Sequence, residues 1–244
     1  GGLTLSNYSA MFTQPELLLV LRNTALWVIL VPILATSIGL IYAILIDRAR
    51  GEAFAKALIF LPMAISMVGA GIIWKFVYQY KQTSRPQIGL LNAILKFFGF
   101  ETQQFLINAP LNTFMLIIVM VWIQAGFAMT VLSAAIKAIP DEIIEAAKLD
   151  GVMAFKMFRY ITLPSIRPAL VVVVTTIGIG TLKVFDIVRT MTGGQFDTSV
   201  VANEFYSQSF RFNAPGLGAS LAVLLFILVI PIVTYNIIQM RKEA

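Results

Sequence analysis

The stretch Ile139-Pro140-Asp141-Glu142-Ile143-Ile144-Glu145-Ala146-Ala147-Lys148-Leu149-Asp150-Gly151, running on to Tyr160-Ile161-Thr162-Leu163-Pro164, is the polar interval from which the rest of the chain can be read. Pro140 suits a helix start, since its missing N–H falls among donors that a first turn leaves unpaired anyway. Asp141 and Glu142 complement the positive end of the helix dipole. Gly151 is the expected left-handed terminator, and a second short helix is expected from Val152 to Thr162 before Pro164 stops it. Ile144, Ala147 and Gly151 share one face at i, i+3 and i+7, with Glu145 and Lys148 beside it. Small residues that allow close backbone approach, flanked by charge, suit docking into a partner's cleft. The same pattern also suits a loop packed against its own bundle.

On both sides of this interval the chain is apolar. Five runs stand out, from Leu17 to Ile46, Ala57 to Tyr78, Leu111 to Ile136, Ala169 to Val188 and Leu217 to Ile238. Each can cross a hydrocarbon core about 30 Å thick at about 1.5 Å per helical residue. The runs are continuous rather than alternating, so they read as helices and not as barrel strands. The 244 residues are 59% hydrophobic and only 12% charged, against roughly 45–50% and 25% in a soluble domain. A mean hydropathy of +0.86 agrees. The fold class is therefore all-α and integral to a membrane, with no room for a sizeable soluble domain.

The composition excludes several chemistries. There is no Cys and no His, so disulfides, thiolate metal sites and imidazole catalysis are ruled out. The net charge of +6 is explained by loop cations on one side of a membrane and needs no nucleic acid. Arg48, Arg50 and Lys56 join the first two runs; Lys137, Lys148, Lys156, Arg159 and Arg167 join the third and fourth; Arg241 and Lys242 follow the fifth. These are 10 of the 18 basic residues, and their side is assigned to the cytoplasm. The remainder, including Arg22, Lys75 and Lys183, lie elsewhere, several at helix ends from which they snorkel. Trp74, Phe76, Tyr78 and Tyr80 resemble an interfacial aromatic belt. Pro32, Pro62 and Pro231 read as packing kinks within spans.

This orientation puts the first residue outside and the last inside. An outside N-terminus with no signal sequence is awkward to make, and a sixth helix preceding Gly1 in the natural protein would resolve it. The expected organisation is an external segment 1–16, one membrane domain 17–240 carrying the loop 138–166, and a cytoplasmic tail 241–244.

The spacing Glu145-Ala146-Ala147, Gly151, Ile161, Leu163-Pro164 resembles the signature loop of permease subunits in binding-protein-dependent ABC importers. The loop's position between the third- and second-last spans is the family's own. Asn23-Thr24, Gly89-Leu90-Leu91-Asn92, Phe185-Asp186 and Met191-Thr192-Gly193-Gly194 are similar to carbohydrate-uptake permeases, the Gly-Leu-Leu-Asn loop to the sugar-contacting type of maltose permease subunit. Lys183 to Gln195 looks closest to the α-glucoside branch. Gln195-Phe196 departs from relatives that carry Pro after the glycines.

The resemblance implies a type I ABC importer transmembrane domain, five of its helices present, in a bacterial cytoplasmic membrane. It implies a second permease subunit, an ATPase dimer beneath and an external sugar-binding protein. ATP and Mg would sit on the ATPase, and this chain would hold no cofactor. The loop's first helix would be the coupling helix: Glu145 in polar contact with the ATPase cleft, Ala146 and Ala147 in close fit, Gly151 as elbow, and Leu163-Pro164 closing the motif. ATP-driven closure would then rock the spans between two rigid-body states. The positions that contact sugar in the maltose-type relative fall on Gln124, Phe127, Thr176, Gly180 and Lys183.

Those residues also have plainer readings. Phe127 suits ordinary packing, and Thr176 can bond its own i−4 carbonyl. Lys183, costly in lipid at about 2.5–3.5 kcal/mol near a helix centre, can line a pore or pair with Asp186. A permease for another small solute is an alternative, as is an ion-coupled transporter. The latter would favour carboxylates inside spans, and here they lie in loops or at helix ends. The chain has no Gly-x-x-x-x-Gly-Lys-Ser/Thr loop, so ATP hydrolysis would belong to another chain.

Overall fold

The computed structural model describes residues 5–47, 50–82 and 85–243, with side chains as far as Ile238. Arg48, the side chains of Arg241 and Lys242, and the start of the 1–16 segment lie outside the described residues. All regular structure among the described residues is helical. In order the helices are α1 (Ser6–Thr13), α2 (Pro15–Ile46), α3 (Glu52–Phe60), α4 (Met67–Val77), α5 (Leu90–Phe97), α6 (Leu111–Lys137) and α7 (Asp141–Leu149). There follow α8 (Ala154–Met157), α9 (Leu163–Ser165), α10 (Arg167–Leu182), α11 (Asp186–Met191), α12 (Val201–Tyr206) and α13 (Pro215–Glu243).

Three helices are uninterrupted and apolar enough to span a membrane: α2, α6 and α13 as far as Ile238. They match the first, third and fifth apolar runs. Pro32 and Pro231 lie inside α2 and α13, which continue through them.

The second and fourth runs are each broken, where continuous helices were expected. After Phe60 the chain tightens into a 3₁₀ turn, Leu61–Ala64, and α4 starts afresh at Met67. Pro62 has no N–H to continue the ladder. Ser66 then caps the new helix, its Oγ accepting from the Gly69 N–H at 3.1 Å. The fourth run ends at Leu182. The Lys183 and Val184 N–H groups fold back to the Gly180 and Thr181 carbonyls at 3.3 and 3.0 Å, and α11 begins at Asp186.

The chain divides into two compact units by contact: Gly1–Val31, Ile65–Met120 and Gly180–Ile230 form the first, and Pro32–Ala64, Val121–Ile179 and Pro231–Ala244 the second. In the first, Met11, Val20, Val201 and Leu221 form a core ringed by Leu21, Phe205, Leu217, Leu224 and Leu225. Helix α11 packs against α4, and a Cβ at Gly71 would stand 3.2 Å from that of Thr190. Tyr78, expected in an aromatic belt, is buried instead: its hydroxyl donates to the Met115 carbonyl at 3.0 Å and its ring meets Trp74 and Phe105. Phe76 is exposed.

In the second unit, close packing of backbone sets the geometry. A Cβ on Gly39 would sit 2.5 Å from Ala128 Cβ, and one on Gly126 would sit 2.5 Å from the Ile59 carbonyl oxygen. So α2 and α3 both lie directly on α6. Asn236 on α13 donates to the Thr175 hydroxyl on α10.

Candidate functional site

Within the second unit, residues 138–166 fold as two short helical arms joined at Gly151. Pro140 is the N-cap of α7, with Asp141 and Glu142 in the first turn. At the other end the Val152 N–H donates to the Ala147 carbonyl and the Gly151 N–H to the Lys148 carbonyl, both at 3.0 Å. Gly151 has φ +75°. This pair of bonds around a left-handed residue satisfies two carbonyls that the helix end would otherwise orphan. The elbow therefore follows from local sequence.

The second arm differs from expectation. It begins at Ala154 and runs through Pro164 to Ser165, where Pro164 was expected to stop it. Residues Phe158–Thr162 widen into a π turn, and the Leu163 N–H reaches the Phe158 carbonyl. Five-residue spacing moves the carbonyl of Tyr160 away from the proline ring, which would collide with it in a regular helix.

The faces of this loop are unequal. Ala147 is buried and Ile144 half-buried, so that face is turned onto the chain itself. Glu145 and Ala146 are exposed, Leu163 is half-buried and Pro164 exposed. Large apolar side chains also stand free: Leu149 is 89% exposed, and Met153, Phe155 and Tyr160 are each more than 70% exposed. Sequence reading passed over these four, because an apolar residue in a loop gives no sign of its direction.

A charge cluster braces the neighbouring helix ends. Lys56 Nζ lies 2.5 Å from Asp47 Oδ1 and 2.8 Å from Glu52 Oε1. Lys137 pairs with Glu52. Ser133, buried on α6, donates to Asp47 Oδ1 at 2.7 Å. Counting Lys56 and Lys137 only as cytoplasmic cations missed this network, though Glu52 and Lys56 at i, i+4 were its visible signal.

The expected sugar-contacting residues divide between the units. Gln124 and Phe127 are half-buried on α6, and Thr176 is exposed on α10, all in the second unit. Gly180, with open space where a Cβ would be, and exposed Lys183 belong to the first. No hydrogen bond among the described residues joins these side chains. Thr175, the neighbour of Thr176, bonds back to its own helix, at the Val171 carbonyl at 2.7 Å. Among the described residues Lys183 and Asp186 form no ion pair; α10 ends before the first and α11 starts at the second.

In the first unit the short polar motifs prove to be clasps. Asn92 is fully buried; its amide donates to the Gln79 and Gln103 carbonyls at 3.0 Å each and accepts from the Gln103 N–H at 2.8 Å. Asn23 donates to the Asp197 and Ser199 carbonyls at 2.6 and 3.0 Å. Thr24 Oγ1 accepts from the Val201 N–H at 2.9 Å.

Comparison with known proteins places these features. A sequence model of the family described as "binding-protein-dependent transport system inner membrane component" matches residues 5–242. The chain is 46% identical over 239 residues to the osmoprotective compounds uptake permease protein GgtC of Synechocystis sp., covering 98% of this chain and 86% of the relative. It is 47% identical over 241 residues to the alpha-glucoside transport system permease protein AglF of Rhizobium meliloti, covering 98% and 72%. In fold it is similar to a chain of a bacterial alginate ABC transporter crystallised with an alginate pentasaccharide-bound periplasmic protein, at TM-score 0.85 and 20% identity over 99% of this chain and 84% of that one.

Proposed function

Because the chain belongs to the binding-protein-dependent transport system inner membrane component family, we propose that it is the permease subunit through which an ATP-driven importer moves a sugar, an oligosaccharide or α-glucoside, across the cytoplasmic membrane. The chain is not catalytic itself, since in such importers ATP is hydrolysed by a separate subunit that carries the nucleotide and Mg. The similarity to an α-glucoside permease supports the solute class. A second reading, uptake of an osmoprotective compound, is supported by comparable identity to GgtC.

The observation that carries this reading is the loop 138–166, whose first helix, α7, leads into Gly151 and leaves Glu145 and Ala146 exposed. In it Glu145 and Ala146 meet the ATPase, Ala147 and Leu163 seat the loop on its own chain, and Gly151 and Pro164 shape its two arms. Residues 17–240 are the membrane domain, with 138–166 and 241–244 cytoplasmic and 1–16 external. Gln124, Phe127, Thr176, Gly180 and Lys183 supply amide, aromatic and hydroxyl chemistry along the solute's route through this subunit and its permease partner. A loaded external binding protein triggers the outward-facing state.

Purification of the full-length protein with its partners tests the reading. An ATPase subunit should co-purify, and replacing Glu145 and Gly151 together should release it. A chain that purifies alone and transports on an ion gradient would overturn it.

A further inference from the structure

Asn23 does more than hold the first unit together, because it and Asp197, whose carbonyl it binds, both line a cavity. This cavity, about 470 Å³, is lined by Leu19, Arg22, Leu26, Thr113, Phe114 and Asp197, among others. It lies within the range of roughly 300–1,000 Å³ usual for small-molecule sites. Arg22 and Asp197 both border it, yet they form no ion pair, and neither side chain has a hydrogen-bond partner among the described residues. Asp197 is held in place by its own backbone: its φ is +61°, and its carbonyl takes the 2.6 Å bond from Asn23. Phe114 is 40% exposed, leaving part of its ring free.

We propose that this cavity is a subsite for one pyranose ring of the transported solute, held between Arg22 and Asp197. The proposal rests on the sugar-permease reading. A guanidinium presents parallel N–H donors to adjacent hydroxyl oxygens, and a carboxylate accepts from adjacent hydroxyl hydrogens. Phe114, Leu19 and Leu26 meet the ring's C–H face. Opposite charges across one cavity favour a neutral polyol: a phosphate headgroup drawn to Arg22 is repelled by Asp197. Asn23 is a positioning residue, acting through the Asp197 backbone.

The complete transporter in nanodiscs, treated with a diazirine-bearing α-glucoside, provides the test, with insertion mapped to single residues by mass spectrometry. Insertion is expected at Leu19, Leu26 or Phe114, and a fall of about tenfold with Arg22→Ala or Asp197→Asn, as for loss of a charge-assisted bond. Asparagine tolerates the left-handed backbone, so the second variant keeps the loop's shape. Insertion at Gln124, Phe127 or Thr176 alone would overturn the subsite and leave the sugar reading standing. No insertion anywhere in a transporter that hydrolyses ATP would overturn both. Labelling of the cavity by an alkyl diazirine that excess glucoside fails to displace would make it a lipid site and overturn the proposal.

Discussion

The buried side chain of Asn112 donates to the main-chain oxygen of Phe196 at 2.6 Å, 84 positions away in sequence. Phe196 and Asp197 are consecutive non-glycine residues at φ +57° and +61°, a conformation that costs about 1–2 kcal/mol per residue. Asn112 and Asn23 hold the two carbonyls of this pair. Asn112→Ala should remove the donor and lower stability by about 1–3 kcal/mol, read as a lower melting temperature of the complex in detergent. Asn112→Asp should do no better, because a carboxylate cannot donate to a carbonyl. Wild-type melting in both variants would contradict this role.

Gly151 separates conformation from contact. A Cβ there would meet nothing within 4 Å in the chain, so no steric clash penalises a side chain. Its φ of +75° does. Gly151→Asn should therefore keep ATP hydrolysis coupled to transport, whereas Gly151→Val should strain the elbow by about 1–2 kcal/mol or more and lower solute moved per ATP. Equal coupling ratios in the two variants would show that the elbow's backbone is irrelevant.

The ion cluster should behave as a coupled unit. Lys56→Met leaves the largely buried carboxylate of Asp47 without its nearest cation, and breaking such a pair costs about 3–5 kcal/mol when fully buried, less here. Adding Asp47→Asn should restore part of the loss. A double-mutant cycle on melting temperature measures the coupling, and strict additivity would count against a shared network.

Leu149 and Phe155 are large apolar side chains left exposed on the loop 138–166. Changing either to Ser should weaken association with the ATPase subunit by about tenfold, the scale of an interface anchor worth 1–2 kcal/mol, with the chain's own melting temperature unchanged. Titration of ATPase onto permease in nanodiscs reads this directly, and unaltered affinity would remove both residues from the interface.

Gly89 is fixed by space. A Cβ there would collide with the carbonyl oxygen of Gln79, the same carbonyl that Asn92 binds. Gly89→Ala should push that strand of chain away from Asn92 and destabilise the unit by about 1–3 kcal/mol, visible as faster proteolysis between residues 80 and 104.

What could be read in advance was what depends on near neighbours. The limits of α2 and α6 follow from continuous hydropathy, and the Gly151 elbow from one residue type in one local conformation. The breaks at Ser66 and Lys183 escaped because hydropathy counts apolar atoms and is blind to where the backbone hydrogen bonds stop. Ser66 after Pro62 was nonetheless a legible cap. The Asn23–Asp197 clasp spans 174 positions, and no local pattern announces such a pair. The motif containing Asn92 pointed to the right family, and its side chain is occupied entirely in holding backbone.

Gly39 and Gly126 have a mechanical consequence. At these two glycines α2 and α3 come onto α6 with no more than an alanine methyl between the main chains. An interdigitated layer absorbs displacement by switching rotamers; a seam this thin has none to switch. A shift imposed on the end of α6, three residues from the start of α7, is thus carried into its two neighbours as translation. Two absent methyl groups make this part of the molecule a stiff lever.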